Sequence, residues 1–309
     1  MRSISLSPRE LTWRRFKQHR LSWWSLIILI LLTFFVFILP PVLEFFLKVN
    51  YQSANLDLRF SSISPTHLLG TDELGRDVLA RLLYGGRISI GIAIISAIAS
   101  LLMGALVGAY AGYYGGWIDT LLMRFTDAML SLPTLPLMIL LAAVDLQKVL
   151  PSFLSFLNTG LYASFVKLML IIILFGWMGV ARLIRGEFLS LKEREFILAS
   201  KALGNLNRKI IWGHMLPNCL APMIVSVTLS IGSIILYEAV LSFIGLGIQP
   251  PIPSWGNMLH HALEYIRSAP LLAIYPGLCI LMIVVCINFV GDGLRDAFDP
   301  RFTLKTEEK

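Results

Sequence analysis

The stretch from Ile88 to Gly112 reads I-S-I-G-I-A-I-I-S-A-I-A-S-L-L-M-G-A-L-V-G-A-Y-A-G. Its 25 positions carry no charge, and a helix rising about 1.5 Å per residue needs about 20 such residues to cross about 30 Å of hydrocarbon. Along one face, small residues recur at every fourth position: Ser96, Ser100, Gly104, Gly108 and Gly112. Lipid supplies little hydrophobic drive between helices, so small residues that let backbones approach carry the packing there. The stripe therefore marks an interface with another helix, of this chain or of a second subunit.

The remainder of the chain agrees with a membrane span. Of 309 residues, 56% are hydrophobic and 15% charged, and the mean hydropathy is +0.75. A soluble domain carries about 25% charged residues, so a water-exposed fold of ordinary composition is excluded, and disorder more firmly still. Further apolar runs lie at Trp23–Leu39, ending at Pro40 and Pro41, and near Thr120–Val144, Ala163–Leu183, Leu220–Gly245 and Leu271–Val290. With Ile88–Gly112 these predict six transmembrane helices in an all-α polytopic protein.

The predicted organisation is a cytoplasmic tail over 1–22, a first helix over 23–47, an outer loop over 48–87, a five-helix core over 88–296 and a cytoplasmic tail over 297–309. The basic start resembles a signal peptide, but no small-residue cleavage site follows it. An even number of spans puts both termini on one side. With that side cytoplasmic, 18 of the 26 Lys and Arg residues fall inside and 8 outside, as the positive-inside rule requires. The net charge of +7 thus belongs to short loops and predicts no nucleic-acid surface.

Within the spans, ionisable residues are few. Arg124 and Asp127, three apart, are expected to pair on one helix. Lys167 is expected to snorkel. Glu238 admits two readings, a hydrogen bond to a neighbouring helix or a place in a permeation path. Cys219, Cys279 and Cys286 show neither metal-ligand spacing nor a C-x-x-C pattern, so a packing role is expected. The chain has no G-x-x-x-x-G-K-[ST] loop, no H-E-x-x-H and no G-x-S-x-G. No catalytic residue, metal or bound cofactor is therefore expected, and uphill transport would draw on an ion gradient or on a separate ATPase.

Between the fourth and fifth runs, Ile184–Met215 reads as a cytoplasmic loop. Phe188, Leu191, Phe196, Ala199, Ala202 and Leu203 have helical spacing among charged residues, and Gly204 stands where a left-handed cap would end that helix. Such a helix needs a lipid surface or a partner to lie against.

This loop resembles that of the inner-membrane permease subunits of binding-protein-dependent ABC importers, and specifically the C-type subunit of the dipeptide, oligopeptide and nickel group. The family pattern is E-A-A, three residues, Gly, then about nine residues, an apolar residue and L-P. It falls here on Leu198, Ala199, Ser200, Gly204, Leu216 and Pro217. Three further stretches resemble that subgroup: H-L-L-G-T-D-E-L-G-R-D-V-L-A-R-L-L-Y-G-G-R (67–87), Y-E-A-V-L-S-F-I-G-L-G-I-Q-P-P-I-P-S-W-G-N-M-L (237–259) and G-D-G-L-R-D-A-F-D-P-R (291–301).

The resemblance implies the ABC importer type I permease fold and alternating access. Its expected partners are a second homologous permease in a heterodimer, two ATPase subunits that hold ATP and Mg, an extracytoplasmic binding protein and membrane lipid. The expected location is the inner (plasma) membrane of a prokaryote. Residues 185–217 would form the coupling loop, with Gly204, Leu216 and Pro217 supplying a tight turn and a helix restart. Leu198 replaces the family glutamate and Ser200 its second alanine; Glu195, one turn earlier, is the candidate to supply the missing charge. Residues 48–87 would form part of the dock for the binding protein, or a solvated loop with internal ion pairs. Peptides are the expected solute, with nickel, glutathione or another small solute as alternatives. An ion-coupled secondary transporter is the alternative of a different class, and Glu238 is its one candidate ion ligand.

The run Gln249-Pro250-Pro251-Ile252-Pro253 excludes a regular helix. It is expected to shape an external gate ahead of Trp255, which is placed at the membrane interface. Replacing Pro250 and Pro251 with alanine is expected to reduce solute uptake while leaving copurification of partner subunits unchanged.

Overall fold

The structure, a computed structural model, describes residues 8–47, 51–144 and 163–299. The expectations for residues 1–7, 48–50 and 300–309 fall outside them. The elements are α1 Pro8–Gln18, α2 Arg20–Leu47, α3 Val78–Tyr114, α4 Gly116–Ser131, α5 Thr134–Ala143, α6 Ala163–Lys192, α7 Glu195–Ala202, α8 Leu220–Phe243, α9 Trp255–Ala262 and α10 Leu271–Phe298. Among the described residues five helices are long and apolar enough to cross a membrane: α2, α3, α6, α8 and α10. The pair α4 and α5, bent by 83°, makes a sixth span if taken as one.

That bend corrects the expectation of one helix over Thr120–Val144. Pro133 follows Leu132, and the residue before a proline is pushed out of the helical region; Leu132 takes φ −83° and ψ 142°. The predicted Arg124–Asp127 pair is corrected too: Asp127 accepts from Arg182 of α6, at 2.9 Å from Nε, and Arg185 pairs with Asp119. Both arginines ride on α6, which runs to Lys192 rather than ending near Leu183. These cross-helix pairs lay α4 along α6. Lys167, expected to snorkel, reaches the end of α5. Its Nζ donates to the carbonyls of Ala142 at 2.6 Å and Val144 at 2.7 Å, where a cation meets the negative end of α5.

The small-residue stripe of α3 faces α6 of the same chain. A Cβ on Gly104 would stand 2.5 Å from the Trp177 carbonyl oxygen, and one on Gly112 would stand 2.6 Å from Phe188 Cβ. Gly108 faces Ala181, and Gly176 of α6 returns the favour against Ser100. Ser96 and Ser100 are buried in the same seam.

α2 continues through Pro40 and Pro41 instead of ending there. Two consecutive prolines remove the N–H groups that the carbonyls of Val36 and Phe37 would have accepted. Arg87 of α3 supplies the missing donors: Nε reaches Val36 O at 3.1 Å, and Nη2 reaches Phe37 O. At membrane depth no water would satisfy those carbonyls, so a guanidinium with two donors in a fixed fork substitutes for the lost helix bonds.

The start of α3 lies ten residues earlier than expected, inside the polar stretch. Asp77 caps it, accepting from Ala80 N at 2.8 Å, and His67 Nδ1 lies 2.9 Å from the other Asp77 oxygen. Arg76 pairs with Asp72 at 2.7 Å and with Glu73 at 2.6 Å, and Arg81 lies 3.3 Å from Asp72. Asp72, Arg76, Asp77 and Arg81 are all buried, so this part of residues 48–87 is a packed ionic core and not a solvated loop. His261 of α9 abuts it; burial pushes its imidazole below the ordinary histidine value, and the nearby Arg81 and Arg76 act in the same sense against Glu73.

The pairing of Arg87 with the two prolines is open to a double-mutant cycle. In the native background, Arg87→Leu should cost about 1–3 kcal/mol by stranding the carbonyls. In a Pro40→Ala, Pro41→Ala background, where helix N–H groups return, the same change should cost clearly less, as read from thermal unfolding in detergent.

Candidate functional site

The predicted residues gather at the two ends of the bundle, and α3 connects them. At one end lies α7, carrying Glu195, Leu198, Ala199 and Ser200. Leu203, Gly204 and Asn205 close it: Gly204 N donates to Lys201 O at 2.9 Å and Asn205 N to Ser200 O at 3.2 Å. This pair of bonds is the Schellman arrangement, and Gly204 takes the φ of +74° that it requires. A Cβ at Gly204 would meet nothing within 4 Å, so the glycine answers a conformational demand and not a steric one.

Leu216 and Pro217 do not form a turn. Helical backbone runs from Asn207 through a π segment at Ile211–Met215 to α8. Pro217 cannot donate to the carbonyl four residues back, and the preceding register slips: Leu216 N donates to Ile211 O, five residues back. The left-handed residue of the turn after α7 is Gly204.

Sequence reasoning missed what holds this end together. Tyr113, at the end of α3, donates from its hydroxyl to Asn207 Oδ1 at 2.7 Å and receives Lys192 Nζ on its carbonyl at 2.7 Å. Lys201 Nζ stands 5.4 Å from the Tyr113 ring centroid. Beneath α7, Ile197 joins Phe188, Leu191, Ile210, Ile211, Met215 and Cys219 in a small apolar core. No local pattern links Tyr113 to Asn207 across 94 positions of chain.

The opposite face of α7 is bare. On that face Leu198 is 52% exposed and Glu195 is exposed, and in the turn that follows α7 Leu203 is 82% and Leu206 78% exposed. Leu198 and Glu195 share a helix face at i, i+3, so the carboxylate and the leucine present themselves together.

At the other end, Glu238 of α8 is fully buried. Each of its carboxylate oxygens accepts from a serine: Oε2 from Ser89 of α3 at 2.7 Å and Oε1 from Ser242 at 2.8 Å. Ser89 Oγ also accepts from Trp255 N at 3.3 Å, and Ser242 Oγ from Ile248 N at 3.1 Å. Ser254 and Asn257 form a capping box at the start of α9, and Asn257 Nδ2 donates to Ile252 O at 2.8 Å. The carboxylate thus ties α3, α8 and the segment 245–254 into one knot; its serines carried no signal beyond the S-x-x-N capping spacing at Ser254.

Trp255 is 1% exposed and donates from Nε1 to Leu82 O at 2.9 Å, which corrects its expected place at the membrane interface. Gly85 and Gly86 make room for it: a Cβ on Gly86 would stand 2.7 Å from the indole. Pro250 and Pro251 are exposed at the turn above, joined by a cis peptide bond. Among the described residues no three His, Cys, Asp or Glu side chains are placed to hold a metal ion.

Comparison with known proteins gives the following. Residues 104–304 match the family described as binding-protein-dependent transport system inner membrane component. Residues 7–59 match the N-terminal transmembrane domain of oligopeptide transport permease C. The chain is 39% identical over 293 residues to the dipeptide transport system permease protein of Alkalihalophilus pseudofirmus, covering 94% of this chain and 90% of that one. It is 40% identical over 290 residues to the oligopeptide transport system permease protein of Salmonella typhimurium, covering 93% and 89%. Among solved structures, the inward-facing methionine ABC transporter MetNI aligns with a TM-score of 0.49 at 19% identity, over 71% of this chain and 96% of that one.

Tyr113→Phe and Asn207→Ala should each cost about 1 kcal/mol by removing the hydrogen bond across the α3 end. Because both remove the same bond, the double variant should cost little more than either single one. Thermal unfolding, with amide exchange over residues 195–206 as the local readout, measures it.

Proposed function

The chain belongs to the family of binding-protein-dependent transport system inner membrane components, and from that premise we propose that it forms half of the translocation path of an ATP-driven peptide importer. As a member it is a transport permease component that works with an ATPase and a binding protein, and it is not itself the catalytic subunit. The peptide reading is supported by relatives that are aligned over nearly the whole chain and are named for dipeptide and oligopeptide transport. In this reading the second half of the path is a homologous permease in a heterodimer, the chain binds no cofactor, and ATP with Mg sits on two ATPase subunits. Both termini are cytoplasmic.

The observation that carries the coupling role is the bare apolar surface around Gly204. Leu203 and Leu206 are exposed in the turn that follows α7, a helix that Tyr113, Lys192 and Ile197 fix to the bundle. A rigid element with an unburied apolar tip transmits force to whatever buries that tip, and the ATPase is the partner the family supplies. Glu195, beside Leu198, provides the charge that the substituted motif position lacks. Motion received there passes along α3 and α6, whose close seam leaves little freedom for relative sliding, to the knot at Glu238. We place the external gate in the segment that this knot holds, which contains Pro250 and Pro251, and in Trp255 at the start of α9.

The test uses the double variant Leu203→Glu, Leu206→Glu, both at sites that make no internal contact worth losing. Each leucine buried on docking contributes about 2 kcal/mol, so ATPase retention should fall at least about a hundredfold while the second permease remains bound. In proteoliposomes the wild-type assembly should take up a labelled tripeptide only with ATP and the binding protein present. Recovery of the chain alone, with uptake independent of ATP, would overturn the proposal.

A further inference from the structure

At the junction of α1 and α2 the chain makes an elbow whose construction the transport reading does not use. α1 is held on one side: Phe16 is 2% exposed and packs with Val290 and Ala297 of α10, and Arg15 donates to Asp299 O at 3.4 Å. The elbow itself is fixed by Ser22, whose hydroxyl donates to Phe289 O at 2.6 Å and whose N–H donates to His19 Nδ1 at 3.3 Å. A Cβ on Gly293 would strike Ser22, so α10 is built to admit the elbow closely.

The other side is bare, and from Trp13 to Trp24 it is basic and aromatic. Arg14, Lys17 and Arg20 are exposed there, with Trp13 at 49%, Leu21 at 58% and Trp24 at 63% exposure. Lys17 Nζ lies 5.2 Å from the Trp13 ring and 5.1 Å from the Trp23 ring, and those two rings meet edge to face at 5.8 Å. The ammonium is therefore held in place by aromatic faces. Among the described residues no carboxylate stands within ion-pair distance of Arg14, Lys17 or Arg20.

Three features fix the depth and the sign of what would meet this face. The elbow lies where the apolar span begins, since the stretch that can cross the membrane starts at Arg20. Trp and Tyr side chains settle at headgroup level, apolar body inward and polar edge toward water. Three unpaired cations in that layer attract anionic headgroups, each contributing through the surface potential. We propose that the α1–α2 elbow is a binding site for anionic phospholipid headgroups. Arg14, Lys17 and Arg20 hold the phosphate, and Trp13 and Trp24 seat the elbow in the interface. Because α1 is locked to the end of α10, the headgroup clamps two of the spans at one level of the membrane.

The experiment purifies the chain with the subunits that stay bound and places the complex in nanodiscs of phosphatidylcholine with or without phosphatidylglycerol. Native mass spectrometry then counts the phosphatidylglycerol retained per complex. Wild type should retain it. The variant Arg14→Gln, Lys17→Gln, Arg20→Gln should bind it about a hundredfold more weakly, roughly a factor of five for each charge removed. The charge-preserving variant Arg14→Lys, Arg20→Lys should retain it. Unchanged retention in the triple variant overturns the proposal, as does equal loss in the charge-preserving variant, which marks a folding defect. Loss of a partner subunit from the triple variant with lipid retention intact also overturns it and assigns the face to a protein contact.

Discussion

The close seam between α3 and α6 is the contact on which the rest of this molecule depends. Four-residue spacing of Ser96, Ser100, Gly104, Gly108 and Gly112 leaves one side of α3 without side-chain bulk, and α6 lies against that side with Trp177, Val180, Ala181 and Phe188 nearly touching its backbone. In hydrocarbon, where apolar side chains gain nothing by leaving lipid, such backbone proximity is how two helices hold together. A Cβ on Gly108 would strike Ala181 O and one on Gly112 would stand 2.6 Å from Phe188 Cβ, so a larger residue at either would force the helices apart and loosen what is attached to them.

α3 is the longest described element, 37 residues or about 55 Å, which exceeds the roughly 30 Å of hydrocarbon. One projecting end is stabilised by the buried ions around Asp72, Arg76, Asp77 and Arg81. Near the other end Tyr113 holds Asn207, Lys192 and Lys201 of α7. Between them, Arg87 repairs α2 at its prolines and Ser89 donates to Glu238. A single rigid helix thus touches the proposed gate, the neighbouring span and the proposed coupling segment, a layout suited to rocking as a body.

Buried polar groups in this protein are spent on joints. Glu238, read from the sequence as either a hydrogen-bonding residue or part of a permeation path, stands in the structure with both oxygens satisfied by serines. Asp72 gathers two arginines, and Lys167 finishes a helix. Each sits where two or more segments must be held at a fixed distance inside a medium that offers no water to compensate a broken bond.

What the sequence determined by itself was whatever depends on neighbours along the chain. Hydropathy located the spans, because crossing hydrocarbon is a property of about 20 consecutive residues. The stripe was visible because helix periodicity puts every fourth residue on one face, and the left-handed role of Gly204 followed from its place after an amphipathic run. The break at Pro133 is equally local, written in S-L-P-T-L-P, although the apolar run continues through it. Tertiary structure decided the rest. That α2 survives Pro40 and Pro41 depends on donors from Arg87, 46 and 47 positions on; that Trp255 is buried depends on Gly86; that Asp127 chooses Arg182 over Arg124 depends on how α4 lies against α6. In each case the partner is distant in sequence, and a hydrogen bond or ion pair forms only after packing has brought the two groups within about 3 Å, a distance no local pattern encodes.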